Sequence, residues 1–241
     1  MQLSVVIPTL DEASNLLATL SSLPQDAQVV VSDGGSTDET VAIATRFGAR
    51  LIRGVRGRAG QLNRGAAVCE GDTLLFLHAD CRLGGGAREA IERALDDPNV
   101  VGGSFQLRIR GDAGDKTSRL GLVARASNAR ARYLGVPYGD QGLFVRTSVF
   151  NEAGGYPELP IMEDIALVRE LKRIGKLVRV DTVVSTGPRH WQHLGVVRTT
   201  LLNWAVASLF VAGMPAKRLA PIYTRLRGKK RPDRTASTAY V

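Results

Sequence analysis

Cysteine is scarce in this 241-residue chain, and its two copies, Cys69 and Cys81, form neither a C-x-x-C pair nor a zinc-type spacing. A disulfide framework is therefore not expected, and a reducing compartment such as the cytoplasm is. Long apolar runs are missing too. The stretch from Leu194 to Met214 is apolar and helix-like but carries Arg198, Asn203 and Trp204. It falls short of the roughly 20 uninterrupted apolar residues that span a bilayer and reads as a packed or interfacial helix. The opening MQLSVVIPTL lacks the basic segment and long apolar core of a signal peptide, so the mature chain is expected to start here. No internal repeat or low-complexity linker is found.

What is present is ordinary for a soluble globular protein. Hydrophobic residues make up 44% and charged residues 23%, which excludes a disordered or fibrous class. The length suits one domain with a sizeable core. The net charge is +9, but Arg225 to Arg234 holds six Lys or Arg against one Asp. That is a local +5, leaving +4 for everything else, so the basicity belongs mostly to the tail and nucleic acid is not expected as a partner. The tail reads either as a solvated terminus or as a contact for anionic lipid or another acidic partner.

Strand and helix signals alternate through the first hundred residues. Leu3 to Ile7 is an apolar run stopped by Pro8, and a helix follows, with Thr9 or Asp11 able to cap it and Leu16, Leu17, Leu20 and Leu23 at helical spacing. Val29 to Val31 makes a second strand before SDGGSTDET, and Val41 to Phe47 a helix. Leu51-Ile52 and a helix from about Gln61 to Cys69 repeat the plan. Thr73 to Leu77 is the most apolar strand, followed by a helix over about Ala87 to Leu95 and a strand around Val100 to Leu107. This alternation predicts right-handed βαβ crossovers and a mainly parallel sheet flanked by helices. Beyond Gly111, Thr117 to Tyr133 reads as helix, Gly142 to Val145 as a short strand, and MEDIALVREL as the start of a helix ended by Gly175. Leu177 to Val184 is strand-like.

Several turns at expected strand ends carry chemistry. In an open α/β sheet, ligands bind beyond the carboxyl ends of the strands. VVVSDGGSTDET ends a strand in Asp33, Gly34, Gly35 and Ser36 and then starts a helix, an arrangement that welcomes an anion or offers Asp33 to a base or ribose hydroxyl. A plain capped turn has the same residues. The motif is neither a G-x-G-x-x-G fingerprint nor a P-loop, so it gives a dinucleotide-dependent dehydrogenase little support. In GVRGRAGQLNRGAA, Arg56, Arg58, Asn63 and Arg64 suit diphosphate oxygens, or else form a solvated basic loop. His78-Ala79-Asp80 follows the most apolar strand. Read as extended, it puts His78 and Asp80 on one side, where Asp80 and a substrate diphosphate can share a divalent cation. Glu163 and Asp164 sit at a helix start, where they complement the helix dipole or one of them takes a proton from an attacking hydroxyl. RHWQH adds His190 and His193 as a further metal ligand, a phosphate contact or surface histidines.

Taken in order, SVVIPTLDE, VVVSDGGSTDET, QLNRGAAVCEGDTLLFLHADCRL and YGDQGLFVRTSVFNEAGGYPELPIMEDIALVRELKRIG resemble the inverting family 2 glycosyltransferases of GT-A fold. The likeness covers about Leu3 to Trp204. YGDQ, MED and RHW…LLNW narrow it to the radical-SAM/selenodomain-associated subgroup. The resemblance implies an α/β GT-A fold, a Rossmann-like mainly parallel sheet with C-terminal helices. The glycosyltransferase domain would run over 1–215 and a partly disordered basic tail over 216–241. It implies a UDP- or GDP-sugar donor bound by Pro8, Thr9, Glu12, Asp33, Gly34, Arg58, Asn63, His78 and Ala79. Asp80, aligned with the family's DxD motif, would hold Mg2+ or Mn2+, with His190 as a further ligand. Asp164 would be the catalytic base, with Glu163 beside it. Two departures stand out: His78 replaces the first Asp of DxD, and Gly34 replaces the second acid of the common DDGS version.

The alternatives are a nucleotidyltransferase acting on sugar phosphates and a non-enzymatic membrane or nucleic-acid binding module using the basic tail. The first normally shows a glycine- and lysine-rich loop near the N-terminus, which VIPTLDEASN lacks. The acceptor is not legible. The apolar Leu201 to Val211 helix beside a basic tail suits a membrane-associated acceptor and a peripheral position at the inner face of the membrane; a soluble acceptor is the other option.

Overall fold

A computed structural model describes residues 1–111, 119–188 and 195–227. The chain runs β1 (Leu3–Thr9), α1 (Ala13–Leu20), β2 (Gln28–Asp33), α2 (Thr40–Phe47), β3 (Arg50–Arg53), α3 (Arg58–Ala66), β4 (Thr73–Phe76), β5 (Arg82–Leu83), α4 (Ala87–Leu95) and β6 (Val100–Ile109). It continues through α5 (Arg119–Leu134), a 3-10 turn (Gly139–Gln141), β7 (Leu143–Arg146), α6 (Thr147–Glu152), α7 (Glu163–Ile174), β8 (Lys176–Thr186), α8 (Val196–Val211) and α9 (Ala216–Leu226). The fold is α/β, as expected.

One eight-stranded sheet has the order β3-β2-β1-β4-β7-β6-β8-β5. The strands β1 to β4 are mutually parallel, in register from Leu3 opposite Thr73 to Thr9 opposite Asp33. Five of the seven residues of β1 from Leu3 to Ile7 are fully buried, which is what a strand covered on both faces requires. The strand β7 differs: it lies antiparallel to both β4 and β6. Parallel pairing resumes between β6 and β8. At Gly103 a Cβ atom would come within 2.2 Å of the Val178 carbonyl and 2.6 Å of Phe144 Cζ, so only glycine lets β6 lie this close to its neighbours.

The core on one face of the sheet gathers Val6, Leu62, Phe76, Val145, Phe150, Tyr156, Leu167 and Leu171. Phe76 packs with ring centroids 5.0 Å from both Phe150, tilted, and Tyr156, edge-on. Each such buried aromatic contributes about 1.5–3 kcal/mol. Gly65 of α3 allows a close approach to β1, because a Cβ there would lie 2.4 Å from Val6 Cγ1.

Contacts divide the chain into two compact units. The first comprises Met1–Glu158 and Glu163–Pro188 and holds the sheet; the second comprises Leu159–Met162 and Arg189–Val241. Within the second, α8 and α9 are joined by the Tyr223 hydroxyl donating to Asn203 Oδ1 at 2.8 Å. The two-residue β5, the six-residue α6 and α9 had no counterpart in the sequence reading. Residues 216–226 of the expected tail are helical, and the tail from 228 onward lies outside the described residues.

Candidate functional site

Successive strands run outward from β1 through β2 to β3, then the chain returns to place β4 on the other side of β1. That reversal is a topological switch point, and the crevice beyond β1 and β4 is where such sheets bind ligands. The loops found there are Pro8 to Glu12 and His78 to Asp80.

The first loop is tied to the one after β2. The Asp11 amide donates to Ser36 Oγ at 2.9 Å, Thr37 N to Asp11 Oδ1 at 2.8 Å, Glu12 N to Thr40 Oγ1 at 2.8 Å and Ala13 N to Asp38 Oδ2 at 3.0 Å. Asp11 takes φ +52°, in the left-handed region. Asp33 is fully buried at the end of β2. Its oxygens accept the Thr9 hydroxyl at 3.1 Å, the amides of Gly35 and Ser36 at 2.9 Å each, and the Ser36 hydroxyl. Burial alone raises its pKa, but these donors, led by Ser36, outweigh burial and hold the carboxyl below its ordinary range. Asp33 thus organises the turn that carries Gly34.

Gln61, which the sequence reading treated only as the start of a helix, joins the two loops. Its Nε2 donates to the carbonyls of Thr9 and Ser32 at 2.8 Å each, and its Oε1 accepts the Gly57 amide at 3.2 Å. A Cβ on Gly34 would lie 2.9 Å from Gln61 Oε1. This close approach accounts for glycine where DDGS sequences carry an acid.

The HAD segment is a turn, as its place after the most apolar strand suggests, so the alternation of an extended stretch does not set its side chains. Cys81 N donates to the His78 carbonyl at 3.0 Å, Thr19 Oγ1 to the Ala79 carbonyl at 2.7 Å, and Arg110 Nη2 to the Asp80 carbonyl at 2.7 Å. The turn still brings His78 and Asp80 together, and adds Cys81. Ligand atoms of the three lie within 4.8 Å of one another. A nitrogen, a carboxylate oxygen and a sulfur so grouped are a workable donor set for a divalent cation.

A second line of contacts connects this turn to the start of α7. Arg58 Nε lies 3.1 Å from Glu163 Oε1, and its Nη1 lies 3.5 Å from His78 Nε2. A Cβ on Gly139 would be 2.8 Å from that same His78 nitrogen, and the Gly139 amide donates to Asp164 Oδ2 at 3.0 Å. Burial pushes Glu163 up, Arg58 opposes it, and Asp164 pushes it up again, leaving a net rise. Arg58 is raised: burial disfavours its charge, but Glu163, then Asp164, more than compensate. Asp140, within YGDQ, escaped the sequence reading as a site residue. Burial, opposed by Arg130 but supported by Asp164 and Asp80, pushes its carboxyl up to about 6. Its Oδ1 is buried without a hydrogen-bond partner. Arg130 lies over the Tyr138 ring at 3.4 Å and donates to the Val136 carbonyl at 2.9 Å.

Asn63 has a different occupation from the one expected. Its amide clasps the Tyr156 backbone, donating to the carbonyl at 2.7 Å and accepting the amide at 2.9 Å. Arg64 Nη2 donates to the Val55 carbonyl at 2.8 Å. His190 and His193 lie outside the described residues.

The sequence profile of Glycosyl transferase family 2 matches residues 4–154, well over half of the chain. The chain belongs to glycosyltransferase family 2. Among relatives of this glycosyltransferase, a PGL/p-HBAD biosynthesis glycosyltransferase of Mycobacterium tuberculosis (strain ATCC 25618 / H37Rv) is 44% identical over 91 residues. That match covers 33% of this chain and 36% of the relative, about a third of its length. An uncharacterized glycosyltransferase of the same strain is 26% identical over 196 residues, 77% of this chain and 85% of its own. The glycosyltransferase also superposes on Staphylococcus aureus TarS 1-349 in complex with UDP-GlcNAc, with TM-score 0.62, 17% identity and coverage of 94% and 71%. For glucosyl-3-phosphoglycerate synthase of M. tuberculosis with Mn2+, UDP and phosphoglyceric acid, the values are 0.60, 20%, 89% and 79%. At these identities the structural likeness shows the fold, and it is the GT-A fold. No helix among the described residues is long and apolar enough to cross a membrane.

Proposed function

We propose that this glycosyltransferase moves a sugar from a UDP- or GDP-sugar to an acceptor hydroxyl with inversion at the anomeric carbon. The observation that carries the reading is the line of contacts from Glu163 through Arg58, His78 and Gly139 to Asp164, which joins the turn after β4 to the start of α7. In this reading those contacts support a diphosphate station and a carboxylate base sharing one crevice.

In this reading the loops of Pro8 to Glu12 and Asp33-Gly34 form the nucleoside pocket, shaped by Gln61. Their backbone groups face the nucleoside, while Asp33 keeps the turn closed. Mg2+ or Mn2+, held by Asp80 with His78 beside it, would neutralise the departing nucleoside diphosphate. Arg58 adds positive charge from the protein itself. Asp164 takes the proton of the acceptor hydroxyl as that oxygen attacks the anomeric carbon. The bond from carbon to the diphosphate oxygen breaks on the opposite face, and the electron pair leaves with the nucleoside diphosphate. A carboxylate has about four acceptor positions, so the Gly139 and Ile165 amides at Asp164 leave room for that proton. Glu163 holds Arg58 in position. Fold neighbours bound to Mn2+ with UDP or with GDP-Man accord with this reading.

Family membership favours glycosyl over nucleotidyl transfer. The catalytic domain is proposed to span 1–215, with 216–241 as a basic accessory segment, and the chain to fall in the radical-SAM/selenodomain-associated subgroup. On α8, Val197, Leu201 and Trp204 are exposed, and α9 exposes Ile222 and Leu226 alongside Lys217, Arg218 and Arg225. Such a surface suits contact with an anionic membrane and an acceptor held there.

The test separates binding from chemistry. Asp164→Asn keeps an oxygen for the Gly139 amide, so donor affinity should persist while transfer falls at least about 100-fold. Asp80→Ala, or EDTA, should abolish the thermal shift induced by nucleotide-sugar with Mn2+. Retained transfer in Asp164→Asn would exclude it as the base.

A further inference from the structure

The end of β6 reaches back to the turn after β4. Arg110, next after Ile109, donates from Nη2 to the Asp80 carbonyl at 2.7 Å and from Nη1 to the Ser185 carbonyl at 2.6 Å, with Ser185 Oγ at 3.5 Å. We propose that Arg110 is a positioning residue of the cation station: its guanidinium ties the backbone of Asp80 to β8 and so sets where the Asp80 carboxylate meets Mg2+ or Mn2+. This rests on the reading of Asp80 as the metal residue and adds the group that holds it in place.

Three observations carry it. The first is convergence on one anchor. Arg82 of β5 pairs with Ser185 and Leu83 with Val184, and the Gly84 amide donates to the Val183 carbonyl at 2.7 Å. The chain leaving the turn is thus fixed to the same stretch of β8 that Arg110 grips. A Cβ on Gly187 would lie 3.5 Å from Arg110 Nη2 and 3.8 Å from Asp80 Oδ2. The segment leaving β8 therefore passes beside both the guanidinium and the carboxylate.

The second is that the arginine is itself held. Its amide donates to the Thr186 carbonyl at 2.7 Å, extending a β6–β8 pairing that runs to Ile109 opposite Thr186. The residue is half-buried. A side chain rooted in a paired strand starts from a fixed point, as a group that orients a ligand must.

The third is the chemistry of the fork. A guanidinium is planar, and its diverging N–H groups can hold two carbonyls in one fixed relation, whereas the single ammonium of lysine on a flexible stem cannot. With His78 where the family's DxD motif has its first acid, Asp80 is the carboxylate of this turn, and its placement carries correspondingly more of the cation affinity. Groups behind a metal ligand typically govern about 10–100-fold of that affinity.

The experiment is a Mn2+ titration of the full-length protein with UDP, followed by the electron paramagnetic resonance signal of free Mn2+, with urea unfolding of each variant alongside. Arg110→Lys keeps the charge and Arg110→Met removes it; both should weaken Mn2+ binding at least about 10-fold. Asn128→Ala is the control for a loosened strand. Asn128 clasps the Leu107 backbone of the same β6, accepting the amide at 2.7 Å and donating to the carbonyl at 2.9 Å, so its loss should lower stability and leave Mn2+ affinity unchanged. Wild-type Mn2+ affinity in Arg110→Lys overturns the proposal, and so does an equal weakening in Asn128→Ala. Asp80→Ala separates this proposal from the reading beneath it. Mn2+ binding that is absent from the wild type, or unchanged in Asp80→Ala, overturns both; binding lost in Asp80→Ala but unchanged in the Arg110 variants overturns the role of Arg110 alone. Should Arg110→Met fail to fold, Arg110→Lys decides the matter.

Discussion

Gln61 offers a sharp test of how the crevice is built. In Gln61→Glu the shape is kept, but the amide that donates to two carbonyls at 2.8 Å becomes a carboxyl group. Ionised, it faces two carbonyl oxygens without a proton to offer; protonated, it can still satisfy one of them. Removing one member of a buried polar network costs about 1–3 kcal/mol per group left unsatisfied, more when a charge is buried. The expected loss is therefore about 3–5 kcal/mol at pH 8. Because the folded state favours the protonated form, the carboxyl pKa of the variant is raised above its unfolded value of about 4.3. Stability is lost as pH climbs from there, so the defect should be smaller at pH 5 than at pH 8. Urea unfolding at the two pH values measures it. Gln61→Ala should lose about 2–4 kcal/mol at either pH. A partner substitution sharpens the test. Gly34→Ala should cost about 1–3 kcal/mol in the wild type, since its Cβ would meet Gln61 Oε1 at 2.9 Å, and almost nothing on the Gln61→Ala background. A Gln61→Glu protein as stable as the wild type at pH 8, or additive Gly34 and Gln61 effects, would refute the account.

Two further expectations concern stability near the proposed base. Asp140, pushed up to about 6, is an acid whose folded pKa exceeds its unfolded value, so it weakens the fold as pH rises from about 4 through about 6. Asp140→Asn should gain about 1–3 kcal/mol at pH 8 and nothing at pH 4, by chemical unfolding; an equal effect at both would reject the assignment. Asn63→Asp places an oxygen against the Tyr156 carbonyl, now 2.7 Å from an amide nitrogen, and should cost about 2–4 kcal/mol, with faster proteolysis of the segment between α6 and α7. Unchanged cleavage would mean that the clasp does not anchor it.

Much of the fold was legible because its parallel half is written as fully buried apolar runs. Leu3 to Ile7 and Thr73 to Phe76 could be seen as strands without partners in view. The place of β7 was not, since a four-residue strand carries no mark of direction. The site divides in the same way. Asp80 and Asp164 stand out by their position after a strand and at a helix start. Asn63 and Gln61 look alike in sequence, both amides in a glycine-rich stretch, and only tertiary contacts tell that each clasps backbone. Asp140 drew no notice as a site residue because its perturbation comes from burial and from carboxylates distant in sequence. The HAD segment was legible as a turn after a strand, but the period-two placement of His78 and Asp80 was not a guide to it, since three held carbonyls shape the turn.

The antiparallel strand β7 has a consequence for how the enzyme comes into being. Leu75 pairs with Phe144, roughly 70 residues further on, and α7 with its Asp164 follows only after that. Long loops must close before such pairs reward the chain, so high contact order slows folding. A growing chain can assemble β1 to β4 and their loops well before the segment bearing the proposed base has been synthesised. The crevice loops and the carboxylate proposed to work beside them are thus far apart along the chain, and one short strand, inserted between β4 and β6, lies between them in sequence.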